Sequence, residues 1–379
     1  MMNIICFSHL RWEFVYQRPQ HLLSRAAELF PVFFIEEPMF HDGADWLEIK
    51  PGGPGVQVMV PRLSHRQDDS EITEAVTRLL EAWDQTNNDS HIAWFYTPMA
   101  VPLLDAFAQP EVIVYDCMDE LSAFKNAPVQ LVENEKRLLE IADVVFTGGQ
   151  SLFEAKRNLH NNIHPFPSSI DRHHFGSART YDGPEPADQL AIPHPRIGFF
   201  GVIDERLDIE LLRELAEKRP DWHLVLIGPV VKIDEASLPR LANIHYLGGK
   251  TYPELPAYLS GWDVAIIPFA INESTRFISP TKTPEYLAGG KPVVSTPIRD
   301  VVDPYGEMGL VQIAPDAAGF SVAIEKALNQ KNDQAWVSSV NRFLDTISWD
   351  KTWSGMLNQI NNKLEIKSPK TFKKQQIHV

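Results

Sequence analysis

Ser279-Pro280-Thr281-Lys282-Thr283-Pro284-Glu285-Tyr286-Leu287-Ala288-Gly289-Gly290-Lys291-Pro292-Val293-Val294-Ser295-Thr296 reads as a loop, a short helix, a glycine stop and a strand. Prolines at 280 and 284 confine the helix start, with Ser279 or Thr283 as N-cap and a proline just inside. Pro284 costs little where its missing N–H would be an orphan of the first turn. Orphaned N–H groups and the helix dipole favour an anion such as a diphosphate at that end. Lys282 adds a full positive charge there, and Glu285, about one turn further in, is placed to accept from two ribose hydroxyls. The same spacing is also met by a plain surface Lys–Glu pair at i, i+3.

Outward from this segment the chain alternates short apolar runs with amphipathic ones. Asn3–Ser8, Val32–Ile35, Gln57–Val60, Ile92–Tyr96, Val112–Tyr115 and Val144–Thr147 read as strands in the first half. Arg196–Gly201, His223–Gly228, Ile244–Gly248, Val264–Phe269, Pro292–Thr296 and Leu310–Ile313 follow in the second, several ending in glycine. Helical patterns lie between many of them, and such alternation implies right-handed βαβ units and parallel sheets covered on both faces. The fold class expected is α/β, with two Rossmann-like doubly wound domains facing a central cleft. The expected limits are 1–178, a Pro/Gly-rich linker at 179–195, a second domain at 196–345, and a C-terminal helix with a basic tail at 346–379.

The 379 residues carry 35 Lys+Arg against 50 Asp+Glu, a formal charge of −15. That balance argues against nucleic-acid binding and against docking on anionic lipid, both of which need a basic face. Residues 1–178 hold 13 basic and 25 acidic side chains and residues 179–379 hold 22 and 25, so the second half reads as the near-neutral one. Membrane contact is expected at most from the tail lysines Lys363, Lys367, Lys370, Lys373 and Lys374. No apolar run reaches transmembrane length and no basic n-region precedes the first strand, so the cytoplasm is the expected location. Cys6 and Cys117 are too few for a disulfide framework and read as buried thiols.

No G-x-G-x-x-G follows a strand, and G-x-x-x-x-G-K-[ST], His-Glu-x-x-His, a zinc-like Cys/His spacing and Asp-x-Asp are all missing. A reaction without cofactor or metal is the expectation. His173-His174 makes a poor metal site. The composition leaves oligomeric state open.

The quoted segment resembles the nucleotide-binding helix of GT-B glycosyltransferases of family 4, the group 1 glycosyl transferases, in which P-x-K-x-x-E-Y-L-A-x-G-K-P-V-V-S recurs. Ile197-Gly198-Phe199-Phe200-Gly201 with Asp204-Glu205-Arg206, Leu224–Pro229, Asn243–Gly248 and Asp263–Pro268 match in order and spacing, over roughly residues 140–330. The resemblance implies transfer of a sugar from a nucleoside diphosphate donor, UDP- or GDP-linked, usually with retention. The donor is a substrate, so no cofactor is implied. Carried over by position, Glu285 binds the donor ribose, and Lys282 and Arg206 neutralise the diphosphate leaving group. Ser279 and Thr281 flank that group, and backbone at Tyr246, Leu247 and Gly248 faces the base.

Two positions depart from the family pattern. Phe277 stands where the family has its first glutamate, leaving Asn272 and Glu273 as candidates for the sugar contacts. Val202 follows Gly201 where the family has a cation, and Arg206 is the nearby substitute; its other reading is a partner for Glu205 or Glu210.

In the first half, Trp12 through Gln17-Arg18-Pro19-Gln20-His21-Leu22 resembles the W-x-x-x-x-Q-R-P-Q-H-L opening of a bacterial subgroup of the same family. His9, Arg11, Trp12, Gln17 and Arg18 are the candidate acceptor-side residues; alternatively Trp12 and His21 are core and Arg18 caps a helix. Asp116 and Asp119, after a strand, are candidates to take the acceptor's proton or steady an oxocarbenium face, Asp119 being alternatively a loop N-cap. The expected partner is a glycan or lipid-linked acceptor in surface polysaccharide biosynthesis. A sugar-nucleotide epimerase and a non-catalytic glycan-binding protein are the competing readings.

Overall fold

The computed structural model describes residues 2–66, 68–87, 89–330 and 333–367. The chain forms two compact units, one of 1–167 with 350–379, the other of 168–349.

The first unit holds β1 (Asn3–Ser8), β2 (Val32–Glu36), β3 (Met39–His41), β4 (Trp46–Gly53), β5 (Val56–Ser64), β6 (His91–Phe95), β7 (Val112–Cys117), β8 (Val144–Thr147) and β9 (Ile163–Pro165). They form one sheet in the order β3-β5-β2-β1-β6-β7-β8-β9, with β4 pairing antiparallel to β5. β1 and β2 are buried along their whole length, as expected of strands covered on both faces. β4 alternates between exposed and partly covered residues and carries Pro51, which suits an edge.

The second unit holds β10 (Arg196–Phe200), β11 (His223–Ile227), β12 (Ile244–Tyr246), β13 (Val264–Ile267), β14 (Val293–Ser295) and β15 (Val311–Ile313). All pairings are parallel, in the order β12-β11-β10-β13-β14-β15. In each unit the order therefore reverses beside the unit's first strand, between β1 and β6 and between β10 and β13. The loops that follow those neighbours diverge and open a crevice at the carboxyl edge.

All twelve expected strands are present, each end within four residues of its expected place. β3, β4, β9 and the helix Gln334–Leu344 were not foreseen. The first two belong to an edge extension whose half-exposed residues lack a clear apolar period.

The domain limits differ more. Residues 179–195 are no linker: Ile192 is buried, and Gln189 is sealed against the second unit, donating to the Tyr258 carbonyl at 3.0 Å and accepting from Trp262 Nε1 at 2.9 Å. The proline content that suggested a flexible segment instead shapes a strap. The helix Trp349–Lys367 joins the first unit from Asp350 on, burying Trp353, Met356, Ile360 and Leu364, with Trp353 6.3 Å from Trp94.

This return changes the charge picture. By these units the counts are 18 basic and 26 acidic against 17 and 24, a net of −8 and −7, so the expected asymmetry disappears. Of the tail lysines, Lys367 is paired with Asp143 at 2.7 Å, and Lys370, Lys373 and Lys374 lie outside the described residues. Among the described residues no helix is long and apolar enough to cross a membrane.

Packing at β10 is unforgiving. A Cβ on Gly198 would stand 1.9 Å from the indole of Trp262. Gly198→Ala is expected to cost about 2–3 kcal/mol, read as a lowered midpoint in urea unfolding; an unchanged midpoint would contradict this packing.

Candidate functional site

In the second unit the loops after β10 and β13 are stitched together. Asp208 N–H donates to the Pro268 carbonyl and Ala270 N–H to the Arg206 carbonyl, both at 2.8 Å. Above them stands Lys282, the first residue of helix α2, whereas α1 (Arg18–Ala26) belongs to the first unit; α2 spans Lys282–Ala288. The Lys282 ammonium lies 5.7 Å from the ring centre of Phe199 in β10 and 5.8 Å from that of Phe269, just past β13. It also covers Gly201, where a Cβ would come within 2.7 Å of Nζ. The cation is therefore at the crevice between β10 and β13.

The floor of that crevice is backbone. Gly201 and Gly228 both have positive φ, +146° and +148°, and a Cβ on Gly228 would meet the Gly201 carbonyl oxygen at 1.8 Å. Glycine at the ends of two adjacent strands was the signal for this, visible in the sequence but not read as a site feature. Tyr286 was likewise missed. Its buried hydroxyl accepts from Phe200 N–H at 2.9 Å, tying α2 to the end of β10 and so fixing where Lys282 stands.

The helix start differs from expectation. Thr281 occupies the N-cap position, Ser279 lies in the preceding loop with its carbonyl accepting from Ser168 Oγ at 2.6 Å, and Thr283 is fully buried inside α2. With seven residues and a proline inside, α2 contributes little dipole, and the charge at this point is that of Lys282.

Glu285 is buried at 7% exposure beside Lys282. Burial raises its pKa to about 7, against the opposing pull of Lys282 and a hydrogen bond from Thr281. This is not a surface pair.

The remaining donor-side candidates are less open. Arg206 grips Asp204 bidentately, with Nη2 2.7 Å from Oδ2. Asn272 caps the turn Glu273–Thr275, accepting from Thr275 N–H at 3.2 Å, and Glu273 is exposed at 3.7 Å from Arg276. Leu247 N–H donates to the Leu226 carbonyl and the Gly248 carbonyl accepts from Gly228 N–H, both at 2.9 Å, so these groups extend the sheet. Tyr246 donates its hydroxyl to the Pro239 carbonyl, and Arg240 lies over its ring. His174 stacks on Tyr252 at 4.0 Å and bonds its carbonyl, a packing role.

In the first unit the loop after β1 is held by Glu36 at the end of β2, a residue the sequence reading passed over. Glu36 accepts from Trp12 N–H at 2.8 Å and from Arg11 at 3.0 Å, and Trp12 Nε1 donates to the Gly52 carbonyl at 2.7 Å. Trp12 is thus buried and structural, while Arg11 is partly exposed and His9 lies on the same loop. Gln17 N–H donates to Gln20 Oε1 at 3.0 Å, the capping box of α1.

Arg18 and Asp116 require correction. Arg18 Nη2 lies 2.8 Å from Asp116 Oδ1, Nε bonds both carboxylate oxygens at 3.1 Å, and Nη1 donates to the Phe166 carbonyl at 2.7 Å. With 3% and 0% side-chain exposure the pair is sealed from substrate. It joins α1, β7 and the chain just past β9, a structural clamp. Asp119 is half-buried just beyond β7.

A cavity of about 740 Å³ opens at the carboxyl edge of this sheet, reached by Ser8 of β1, Glu36 of β2 and Thr97 after β6. Another of about 770 Å³ in the second unit, lined by His174, Tyr181, Asp188 and Tyr258 among others, includes none of the donor-side residues.

Residues 194–330 match the family model of the glycosyl transferases group 1. The second unit carries the group 1 signature. Over 282 residues the chain is 24% identical to TuaH of Bacillus subtilis (strain 168), a protein assigned to teichuronic acid biosynthesis as a glycosyltransferase, covering 69% of this chain and 70% of that one. The sucrose-phosphate synthase of Thermosynechococcus elongatus superposes with a TM-score of 0.73 at 16% identity, over 97% of this chain and all of that one. Anabaena HepE, solved with UDP and glucose, does so at 0.63 and 14%, over 95% and 100%. The fold is the GT-B fold, and the family model and the TuaH likeness support glycosyl transfer as the activity.

Two measurements check the geometry. Glu285 binds a proton in the folded state at pH values where the unfolded chain has already lost it, so its contribution falls as pH rises from about 4.5 to about 7. Wild type is expected to lose stability between pH 5 and 8 relative to Glu285→Gln, and parallel melting curves would contradict a buried, protonated Glu285. Breaking the Arg18–Asp116 pair leaves an uncompensated buried charge, so Arg18→Met is expected to cost about 3–5 kcal/mol of stability. A stable variant with only a raised KM for the acceptor would return Arg18 to the acceptor site.

Proposed function

We propose that this chain transfers a sugar from a nucleoside diphosphate donor, UDP- or GDP-linked, to a glycan or lipid-linked acceptor in polysaccharide biosynthesis. The observation that carries the donor assignment is the Lys282 ammonium poised over Gly201 at the reversal of strand order, with Glu285 buried beside it. A glycine-floored crevice lets a diphosphate approach the backbone, and Lys282 meets its charge. As the glycosidic bond breaks, negative charge grows on the leaving diphosphate, and a cation already in place stabilises that change most. Arg206 adds to it if it exchanges Asp204 for phosphate. Glu285, ionised when donor is bound, accepts from the ribose hydroxyls.

The first unit supplies the acceptor side. Asp119 is the carboxylate that takes the acceptor's proton, Asp116 being held by Arg18. The cavity at the edge of β1, β2 and β6 favours transfer over epimerisation, which needs no acceptor. The TuaH relative supports a role in polymer synthesis and HepE a UDP-linked donor. Retention at the anomeric carbon and a cytoplasmic site of action belong to the same reading.

Lys282→Ala is expected to weaken UDP or GDP binding at least tenfold in calorimetry, at an unchanged melting temperature. The ratio of wild-type to Glu285→Gln affinity is expected to rise about tenfold from pH 6 to 8, as the carboxyl, pushed up by burial to about 7, ionises. Nucleotide affinity indifferent to both substitutions would reject the donor site.

A further inference from the structure

The first-unit cavity has a lining that narrows what can enter. We propose that it binds an acceptor glycoside bearing an apolar aglycone and excludes acceptors phosphorylated on the sugar. This rests on the glycosyltransferase reading and specifies its acceptor.

The cavity of about 740 Å³ is within the range that encloses a small ligand. Its apolar walls come from Ile35 at the end of β2, Phe40 in β3, Ile72 on the helix Asp69–Asp84, and Met99 and Leu103 on the 3-10 helix Pro98–Ala106. That 3-10 helix starts directly after β6, so the apolar wall stands at the reversal point of the sheet, where a parallel sheet takes its ligand. Phe40 is 41% exposed, an aromatic face kept in water at the cavity's rim. Water held against such walls is released when an alkyl or aryl group replaces it.

The charged groups on the lining are all acidic: Glu36, Glu37, Asp69 and Glu74, with no Lys or Arg among the described lining residues. Arg11, just outside, is committed to this edge, since it bonds Glu36 at 3.0 Å and the Glu37 and Pro38 carbonyls. It offsets one of the four carboxylates. Carboxylates accept from sugar hydroxyls and repel a phosphate dianion, which would here be desolvated beside like charge. An apolar depth under an acidic rim therefore suits a hydroxyl-bearing sugar joined to an apolar group, with the sugar at the rim.

The test uses the full chain and two octyl glycosides, octyl glucoside and octyl mannoside, below their micellar concentrations. Controls are glucose, mannose and their 6-phosphates. At least one octyl glycoside is expected to bind ten times or more tighter than its free sugar, and neither 6-phosphate to bind detectably. Thr73→Trp, which fills the cavity from its partly exposed wall, is expected to reduce octyl-glycoside affinity at least tenfold while UDP and GDP affinity stays unchanged. Phe40→Ser, at the exposed rim, is expected to reduce it several-fold. Glu37→Lys combined with Glu74→Lys is expected to admit the 6-phosphates. Octyl glycosides that bind no better than free sugars, binding that survives Thr73→Trp, or 6-phosphates that bind wild type as tightly would each overturn the proposal. Failure of UDP and GDP to bind at all would instead reject the donor reading, and the comparison of octyl glycosides with free sugars would still report on the cavity.

Discussion

The chemistry of each unit depends on the reversal of strand order beside its first strand. Adjacent strands in a parallel sheet send their connections to opposite faces only where that order reverses, and there the carboxyl edge splits open. In the second unit the reversal lies between β10 and β13, and Lys282 stands there with Phe199 and Phe269 beneath it. In the first it lies between β1 and β6, where Ser8 and Thr97 reach a cavity. One topological rule, applied twice along the chain, accounts for both candidate sites.

What fills each crevice follows from how charge is treated inside it. At Lys282 and Glu285 burial has already raised the carboxyl toward neutrality, against the pull of the neighbouring ammonium. Arg18 and Asp116 represent the opposite case. Hydrogen bonds to Asp116 and to the Phe166 carbonyl engage the guanidinium within the fold, so the buried pair fastens α1 to β7 and to the chain just past β9. The same residue types, an arginine or lysine with a carboxylate, serve chemistry in one unit and architecture in the other.

The regular part of the fold was legible because the central strands of both sheets pair in parallel and are buried on both faces, which makes them short continuous apolar runs. The motif at 279–296 was legible because its prolines, glycines and charges are local in sequence. Edge strands β3 and β4, with half their residues in water, left no such pattern. The strap at 179–195 was misread because proline and glycine mark irregular chain whether or not it packs, and only Gln189 and Ile192 in the core of the second unit show that it does. The return of Asp350 onward to the first unit was invisible for a related reason: an amphipathic stripe shows that a helix buries a face, not which sheet receives it. The charge asymmetry read from the linear sequence vanished with that return.

The sequence by itself determined two doubly wound parallel sheets in series and a Lys–Glu helix start suited to a diphosphate, because periodicity and capping act over a few residues. Only the tertiary structure decided that Asp116 is a clamp and not a base, that Trp12 is anchored by Glu36, and that an acidic-rimmed apolar cavity opens beside β1. Those outcomes depend on residues 24 to 98 positions apart in the chain meeting at hydrogen-bonding distance, and pairing over such separations is set by packing, which no local pattern encodes.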